Sequence, residues 1–409
     1  MNNISKYIPQ IEISEFDYNL PENKIAKYPL KNREESKLLY FNGKIESENF
    51  IDLPNLLPTN SLLVFNNTRV VKARILFQKE TGAKIEIFCL EPYKPSEAAI
   101  AFSRKGKVQW KCLVGNLKKW KEGKIYSQIL VEDKEITLEA LIVERLQDSV
   151  VIEFNWDDNY TFSEMLENIG QIPIPPYLQR SSEEIDETRY QTVYSKSDGS
   201  VAAPTAGLHF TDNILNEINN KGIKSCEITL HVGAGTFKPV QSEKVEEHLM
   251  HTEAFEIDKK TLELLYKHDG PIIAVGTTTT RTLESIYQIG LKIKSNDEYK
   301  HISQWDGFLY EMDINFKESL KIILEYLETN NLKCLYSSTS ILLGPGYKFK
   351  TIDGLITNFH QPKSTLLLLI SALVNDKWKE IYDFALKNDY RFLSYGDSSL
   401  LLNSSSKWF

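Results

Sequence analysis

At 409 residues the chain is longer than one ordinary core holds, so two domains are expected. A 42% hydrophobic and 25% charged composition excludes a disordered or fibrous chain. The net charge of −8 argues against broad, sequence-blind DNA binding, although a local basic patch stays open.

In chain order, the segment from Phe16 to Pro21 reads as an entry strand with a proline stop, and 24–29 as a short helix. Ser36 to Phe41 and Lys44 to Phe50 form a hairpin around Asn42-Gly43, and Ser61 to Phe65 a short buried strand. Asn66-Asn67 is expected to be a turn. From Val70 to about Trp156, alternating segments such as VKARILFQ, AKIEIFCLE and VQWKCLVG recur between turn residues, which points to a small antiparallel barrel. Lysines crowd its turns, Lys118, Lys119 and Lys121 among them. With Trp110 and Trp120 expected to be exposed, they would suit RNA. A solvated face is the plainer expectation.

Beyond residue 160 the pattern turns α/β. A helix is expected over Thr161 to Ile169, another over Asp212 to Asn219 behind the Thr211 cap, and a strand over Lys224 to Leu230. Strand Ile272 to Val275 ends in a small-residue loop, Gly276 to Arg281, before a helix around Leu283 to Ile289. A further helix spans 317–329, strand-like runs cover Ser340 to Leu343 and Thr351 to Ile356, and an apolar helix spans 365–374. The run 366–370 is too short to cross a bilayer, and the N-terminal stretch has no apolar signal core, so a cytoplasmic protein is expected. Cys89, Cys112, Cys226 and Cys334 form no CxxC, which fits a reducing compartment.

The chemistry concentrates between Asp186 and Glu253, with four of the seven histidines: His209, His231, His248 and His251. Two small-residue loops, 202–207 and 233–236, would let backbone N–H groups approach a ligand. Polar residues close apolar strands at Thr205, His209, His231, Thr236, Thr277 to Arg281, Asp353, Asn358 and His360, where α/β folds bind ligands. His248 and His251 could be metal ligands one helical turn apart, yet neither an HExxH spacing nor a carboxylate pair completes a set. No GxSxG elbow, Walker loop or GxGxxG fingerprint occurs. A catalytically silent RNA-binding module and a metal-dependent hydrolase remain as alternatives.

The runs FDYNLP, SLLVFNNTRVVKARI, GQIPIPPYL, RYQTVY, AAPTAGLHFT, TLHVGAGTFKPV, EEHLMHTE, AVGTTTTRTLES, PGYKF, LITNFHQPKSTLLLLISA and YRFLSYGD extend over 14–402. In residues and order the chain resembles the S-adenosylmethionine:tRNA ribosyltransferase-isomerase family of queuosine biosynthesis. The resemblance implies an α/β main domain (1–69 and 157–409) with an inserted small antiparallel β-barrel domain (70–156). It implies a cytoplasmic enzyme, expected to be a monomer, that needs neither metal nor cofactor and touches no membrane. S-adenosylmethionine is a consumed substrate, and its ribosyl group passes to 7-aminomethyl-7-deazaguanine at the wobble position of a tRNA with a GUN-type anticodon. The products are epoxyqueuosine-tRNA, methionine and adenine. Catalytic candidates are His209 first, then His231 and His360, because a group titrating near neutrality suits the proton transfers. Substrate contacts are expected from Arg189, Gln191, Thr205, Gly207, Gly235, Thr236, Thr278, Asp353, Asn358, Lys363 and Tyr395. Arg281 would face the methionine carboxylate and Asp397 the sulfonium; Lys118, Lys119 and Lys121 would meet tRNA phosphates. The chain departs from the family pattern with Lys37 for Arg, Asn67 for Asp and Gln361 for Leu, and the second change removes a carboxylate.

Overall fold

The computed structural model describes residues 8–409 apart from 80, 132–133, 148, 158, 234–239, 241, 311 and 404. Its centre is a ten-stranded mixed sheet. Four parallel strands form the middle in the order Lys224–Leu230, Leu62–Asn66, Ile272–Val275 and Gly354–Asn358. Antiparallel or mixed neighbours extend it on both sides, ending in the Lys37–Phe41 and Ile45–Asn49 hairpin. Leu62–Asn66 and Ile272–Val275 are buried at every position, as strands covered on both faces must be. Helices Thr277–Lys294, Phe316–Thr329 and Thr365–Val374 supply much of that cover through Leu283, Ile286, Leu320, Ile323, Leu367 and Leu368. Each such leucine or isoleucine contributes about 1.5–3 kcal/mol by leaving water.

Six antiparallel strands between Arg74 and Asn155 form a second sheet whose two edge strands approach each other, giving a nearly closed barrel. Its core is separate and includes Phe77, Trp110, Trp120, Phe154 and the Phe162 of the following helix. Trp110 is 2% exposed and Trp120 fully buried, so neither offers a stacking platform, contrary to expectation. Strand periodicity explains Trp110: Val108, Trp110 and Cys112 share the inward phase of Lys107–Gly115. Trp120 folds inward because its indole N–H donates to the Gly123 carbonyl at 3.0 Å.

Several other local expectations are corrected. The entry segment is two short 3-10 turns, Ile13–Phe16 and Glu22–Lys24, rather than strand and helix. Asn66 is not a turn residue but the buried end of a central strand. Its amide donates to the Leu230 carbonyl at 3.0 Å and accepts from the Leu230 N–H at 3.1 Å, joining two parallel strand ends. Residues 340–343 are no strand; the pairing segment is Cys334–Thr339. The threonine run expected as a loop is the first turn of Thr277–Lys294. Among the described residues no helix is long and apolar enough to cross a membrane.

Candidate functional site

The carboxyl ends of the parallel strands open into a cleft. Ala202, Ala203, Pro204, Val232, Phe359 and Leu393 give it apolar walls. Thr205, Thr277, Thr278, Asn358, His360 and Ser394 supply the polar groups. Gly276, at φ +93, turns the chain from strand into helix, so the N-terminus of the 18-residue Thr277–Lys294 helix meets the cleft. Its free N–H groups and dipole favour an anionic group there.

Behind the floor runs a buried chain of side chains. Thr205 Oγ1 donates to Asn358 Oδ1 at 2.8 Å, and Asn358 Nδ2 faces His209 Nε2 at 3.2 Å. His209 Nδ1 lies 2.8 Å from Ser36 Oγ. With Nδ2 as donor, Nε2 must carry the lone pair and Nδ1 the proton. Burial, reinforced by Arg391, pushes His209 down to about 3, so it is neutral at physiological pH. His209 thus touches Asn358, which lines the cleft, and does not line it itself. It borders a second recess with Arg33, Arg189 and Arg391.

His360 does line the cleft. Its N–H donates to the Tyr382 hydroxyl at 3.0 Å, its carbonyl accepts from Tyr18, and Nε2 lies 3.0 Å from Thr357 Oγ1. Burial holds it at about 3 as well. His231 points elsewhere: its Nδ1 is buried without a protein partner among the described residues, and a Cβ at Gly199 would sit 2.5 Å from it. Burial lowers its pKa too.

The remaining expected residues scatter. Thr205, Thr278 and Asn358 reach the cleft, and Gly207 backs onto the Tyr194 hydroxyl. Gln191 clamps the start of the barrel segment, accepting from Val70 N–H at 3.1 Å and donating to its carbonyl at 2.7 Å. Asp353 caps the opposite ends of the strands, accepting from Ile272 N–H at 2.9 Å. Lys363 pairs with Asp17 at 2.8 Å. Tyr395 donates to Asp186 at 2.6 Å, and Asp186 is held by Arg180 at 2.7 Å. Asp397 accepts from Arg391 N–H at 2.8 Å and its guanidinium at 3.1 Å, below the cleft. Lys118, Lys119 and Lys121 are exposed. Gly235 and Thr236 lie outside the described residues.

Arg281 is 5% exposed and ion-paired with Glu253, whose other oxygen lies 3.3 Å from His251. Burial opposes ionisation of Glu253, but Arg281 and His251 outweigh it and hold the carboxyl at about 2. Arg281 Nη2 has no protein partner among the described residues and borders a cavity beside the cleft that shares Thr277 and Thr278 with it. His248 follows a short 3-10 turn instead of sharing a helical face with His251. Among the described residues no three His, Cys, Asp or Glu side chains are grouped for a metal. Sequence reasoning did not assign Ser36, Arg33 or Arg391 to the site; Arg391 lies in the YRFLSYGD motif, whereas Ser36 meets His209 across 173 positions, which no local pattern signals.

Residues 13–401 match the family model described as queuosine biosynthesis protein. A Psychrobacter protein (strain PRwf-1) named S-adenosylmethionine:tRNA ribosyltransferase-isomerase is 36% identical over 403 residues, covering 96% of this chain and 92% of that one. A Treponema denticola protein of the same name is 38% identical over 400 residues, 95% and 99% of the two chains. The crystal structure of S-adenosylmethionine tRNA ribosyltransferase from Thermotoga maritima is similar at 27% identity over 95% of this chain and 100% of that chain, with a TM-score of 0.46.

Proposed function

The chain belongs to the queuosine biosynthesis protein family, and from that premise we propose that it is an enzyme transferring and isomerising the ribosyl group of S-adenosylmethionine onto tRNA. The acceptor is 7-aminomethyl-7-deazaguanine at the wobble position of a GUN-type anticodon, and the products are epoxyqueuosine-tRNA, methionine and adenine. S-adenosylmethionine is consumed as a substrate by a cytoplasmic monomer without added cofactor.

The observation that carries this reading is the cleft itself, apolar-walled and ending on a helix N-terminus. Apolar walls suit the adenine, and the Thr277 and Thr278 hydroxyls suit the ribose. The helix N-terminus and the Arg281 nitrogen that has no partner among the described residues suit the methionine carboxylate. The sulfonium acidifies the ribose 5′ carbon, and a base must take its proton before adenine and methionine leave. His360 takes that role because it alone of the three candidate histidines borders the cleft; burial lowers its pKa well below the near-neutral value expected of a proton-transfer group, so position and not basicity supports the assignment. His209 positions Asn358 and Thr205 from behind.

Incubation with S-adenosylmethionine and tRNA carrying the deazaguanine precursor, followed by nucleoside mass spectrometry, tests the reading. Epoxyqueuosine together with free adenine is expected; a methylated nucleoside, or no new nucleoside, would overturn it.

A further inference from the structure

Beside the cleft, and sharing Ser394 with it, lies a shallow recess faced by Arg33, Arg189 and Arg391. Three guanidiniums converge there on a chain whose overall charge is −8. Arg391 is matched by Asp397 at 3.1 Å. Among the described residues the other two are held by carbonyl oxygens and by no carboxylate. Arg33 donates to Gln191 at 2.6 Å and Thr188 at 2.7 Å, and Arg189 to Leu30 at 2.7 Å and Lys31 at 3.0 Å. Each arginine therefore ties its own segment to the other's backbone, which fixes both forks in place. Arg189 Nε is buried with no protein partner among the described residues.

Such an arrangement is electrostatically incomplete. Burial, then the neighbouring Arg189, holds the Arg33 guanidinium below its ordinary range, and burial does the same to Arg189. Two partly desolvated like charges without a counterion are costly, and a bound anion removes the cost. Each guanidinium has five N–H groups, and those not committed to the carbonyls remain to donate to phosphate oxygens from a fixed position.

We propose that this recess seats a backbone phosphodiester of the RNA substrate, next to the nucleotide that enters the cleft. The proposal rests on the tRNA-modifying activity proposed above and names the part of the site that holds the strand. A nucleotide in the cleft carries its phosphodiesters on its own ribose, so an anion seat that shares a wall residue with the cleft lies where they pass. The methionine carboxylate of the other substrate is a single charge, and the helix N-terminus and Arg281 already suit it on another wall. Successive phosphates of one strand match a surplus of three guanidiniums over one carboxylate.

The test has two arms. In the first, the unmodified full-length protein is treated with phenylglyoxal and peptide-mapped, alone, with an anticodon stem-loop RNA, and with S-adenosylmethionine. Arg33 and Arg189 should be protected by the RNA and left reactive by S-adenosylmethionine. In the second, Arg189→Gln should weaken stem-loop binding about tenfold and lower the slope of log affinity against log salt by about 0.7–0.9. The KM for S-adenosylmethionine should stay within about twofold, and Arg189→Lys should restore the salt slope while recovering only part of the affinity. Absence of RNA protection, or an unchanged salt slope in a folded Arg189→Gln, overturns the proposal in favour of a purely carbonyl-bracing role. Protection by S-adenosylmethionine alone, with a raised KM for it, overturns it in favour of a carboxylate seat. Should Arg189→Gln fail to fold, protection of the unmodified protein decides by itself. Nucleoside products from the same unmodified protein report separately on the activity.

Discussion

The barrel and the central sheet handle their polar residues by opposite rules. In the barrel, charged side chains stand outside on alternate positions and pair with neighbours, as Lys107 does with Glu153 at 2.8 Å, Lys111 with Glu91 at 3.0 Å and Lys124 with Glu139 at 2.9 Å. Exposed pairs of this kind contribute about 0–1 kcal/mol each. Around the carboxyl ends of the central sheet, polar groups are admitted to the interior mostly with a bonded partner: Asn66 to Leu230, Thr205 to Asn358, Asn358 to His209, His209 to Ser36. An unpaired group there would cost about 1–3 kcal/mol. The lesson is one of position. A lysine-rich turn tolerates almost any neighbour, whereas a buried amide at a strand end dictates its own, so chemistry is expected at the second place and adjustable affinity at the first.

The sharpest way to break this contrast is through the histidines. His360→Asn should reduce adenine release by about 10²–10⁴-fold while tRNA affinity holds, the range expected for loss of an acid–base group. His209→Asn should cost less, since His209 reaches the cleft only through Asn358. Rapid-quench assay of adenine distinguishes the two; a larger loss in His209→Asn would move proton transfer to the buried chain.

Next in size is Arg281→Ala. Leaving Glu253 without its guanidinium in a fully buried site should lower stability by about 3–5 kcal/mol by denaturant titration. The KM for S-adenosylmethionine should rise more than that for tRNA; equal rises would remove Arg281 from carboxylate binding.

Acid should then separate the two regions. His209 and His360 are each held at about 3 against an ordinary 6.5, so between those values the unfolded chain binds more protons than the folded one. Their neutral burial costs nothing above pH 6.5, and stability falls as pH drops from there towards 3. At pH 5 each histidine should cost about 2 kcal/mol. Glu253, held at about 2, adds a loss only below its ordinary 4.5. Denaturation curves at pH 7 and 5 should show the loss, and His209→Asn should remove the share that His209 contributes. A pH-independent midpoint over that range would mean that neither ring is buried neutral.

The smallest effect belongs to the barrel turns. Lys118, Lys119 and Lys121 changed together to Glu should weaken tRNA binding and flatten its salt dependence without altering turnover at saturating tRNA. Unchanged binding at moderate salt would leave those lysines as a solvated face only.

The sequence alone carried what short-range physics can encode. The Asn42-Gly43 hairpin formed as Lys37–Phe41 and Ile45–Asn49, because its turn permits one tight reversal. The apolar helix came out at Thr365–Val374, since Ser364 is a cap written next to its helix. The alternating barrel segments announced their sheet, and the motif order announced the family. Alternation, followed strictly, also places Trp110 inside.

Tertiary structure decided the rest. The threonines after Gly276 were legible as a loop by residue type. They are helical because the helix is buried against the sheet, and their hydroxyls are satisfied there by turning back onto the preceding carbonyls, Thr279 to Val275 at 2.7 Å and Thr282 to Thr278 at 3.0 Å. Asp353 and Asn358 bracket one five-residue strand and read alike as polar strand ends, yet strand direction sends Asp353 to the far edge and Asn358 to the cleft. Which histidine meets the cleft, and which arginines lack an acid, depends on partners 100 or more positions away, such as Ser36 for His209 (173) and Gln191 for Arg33 (158). No local pattern encodes such pairs; they exist only once the sheet has brought its carboxyl ends together.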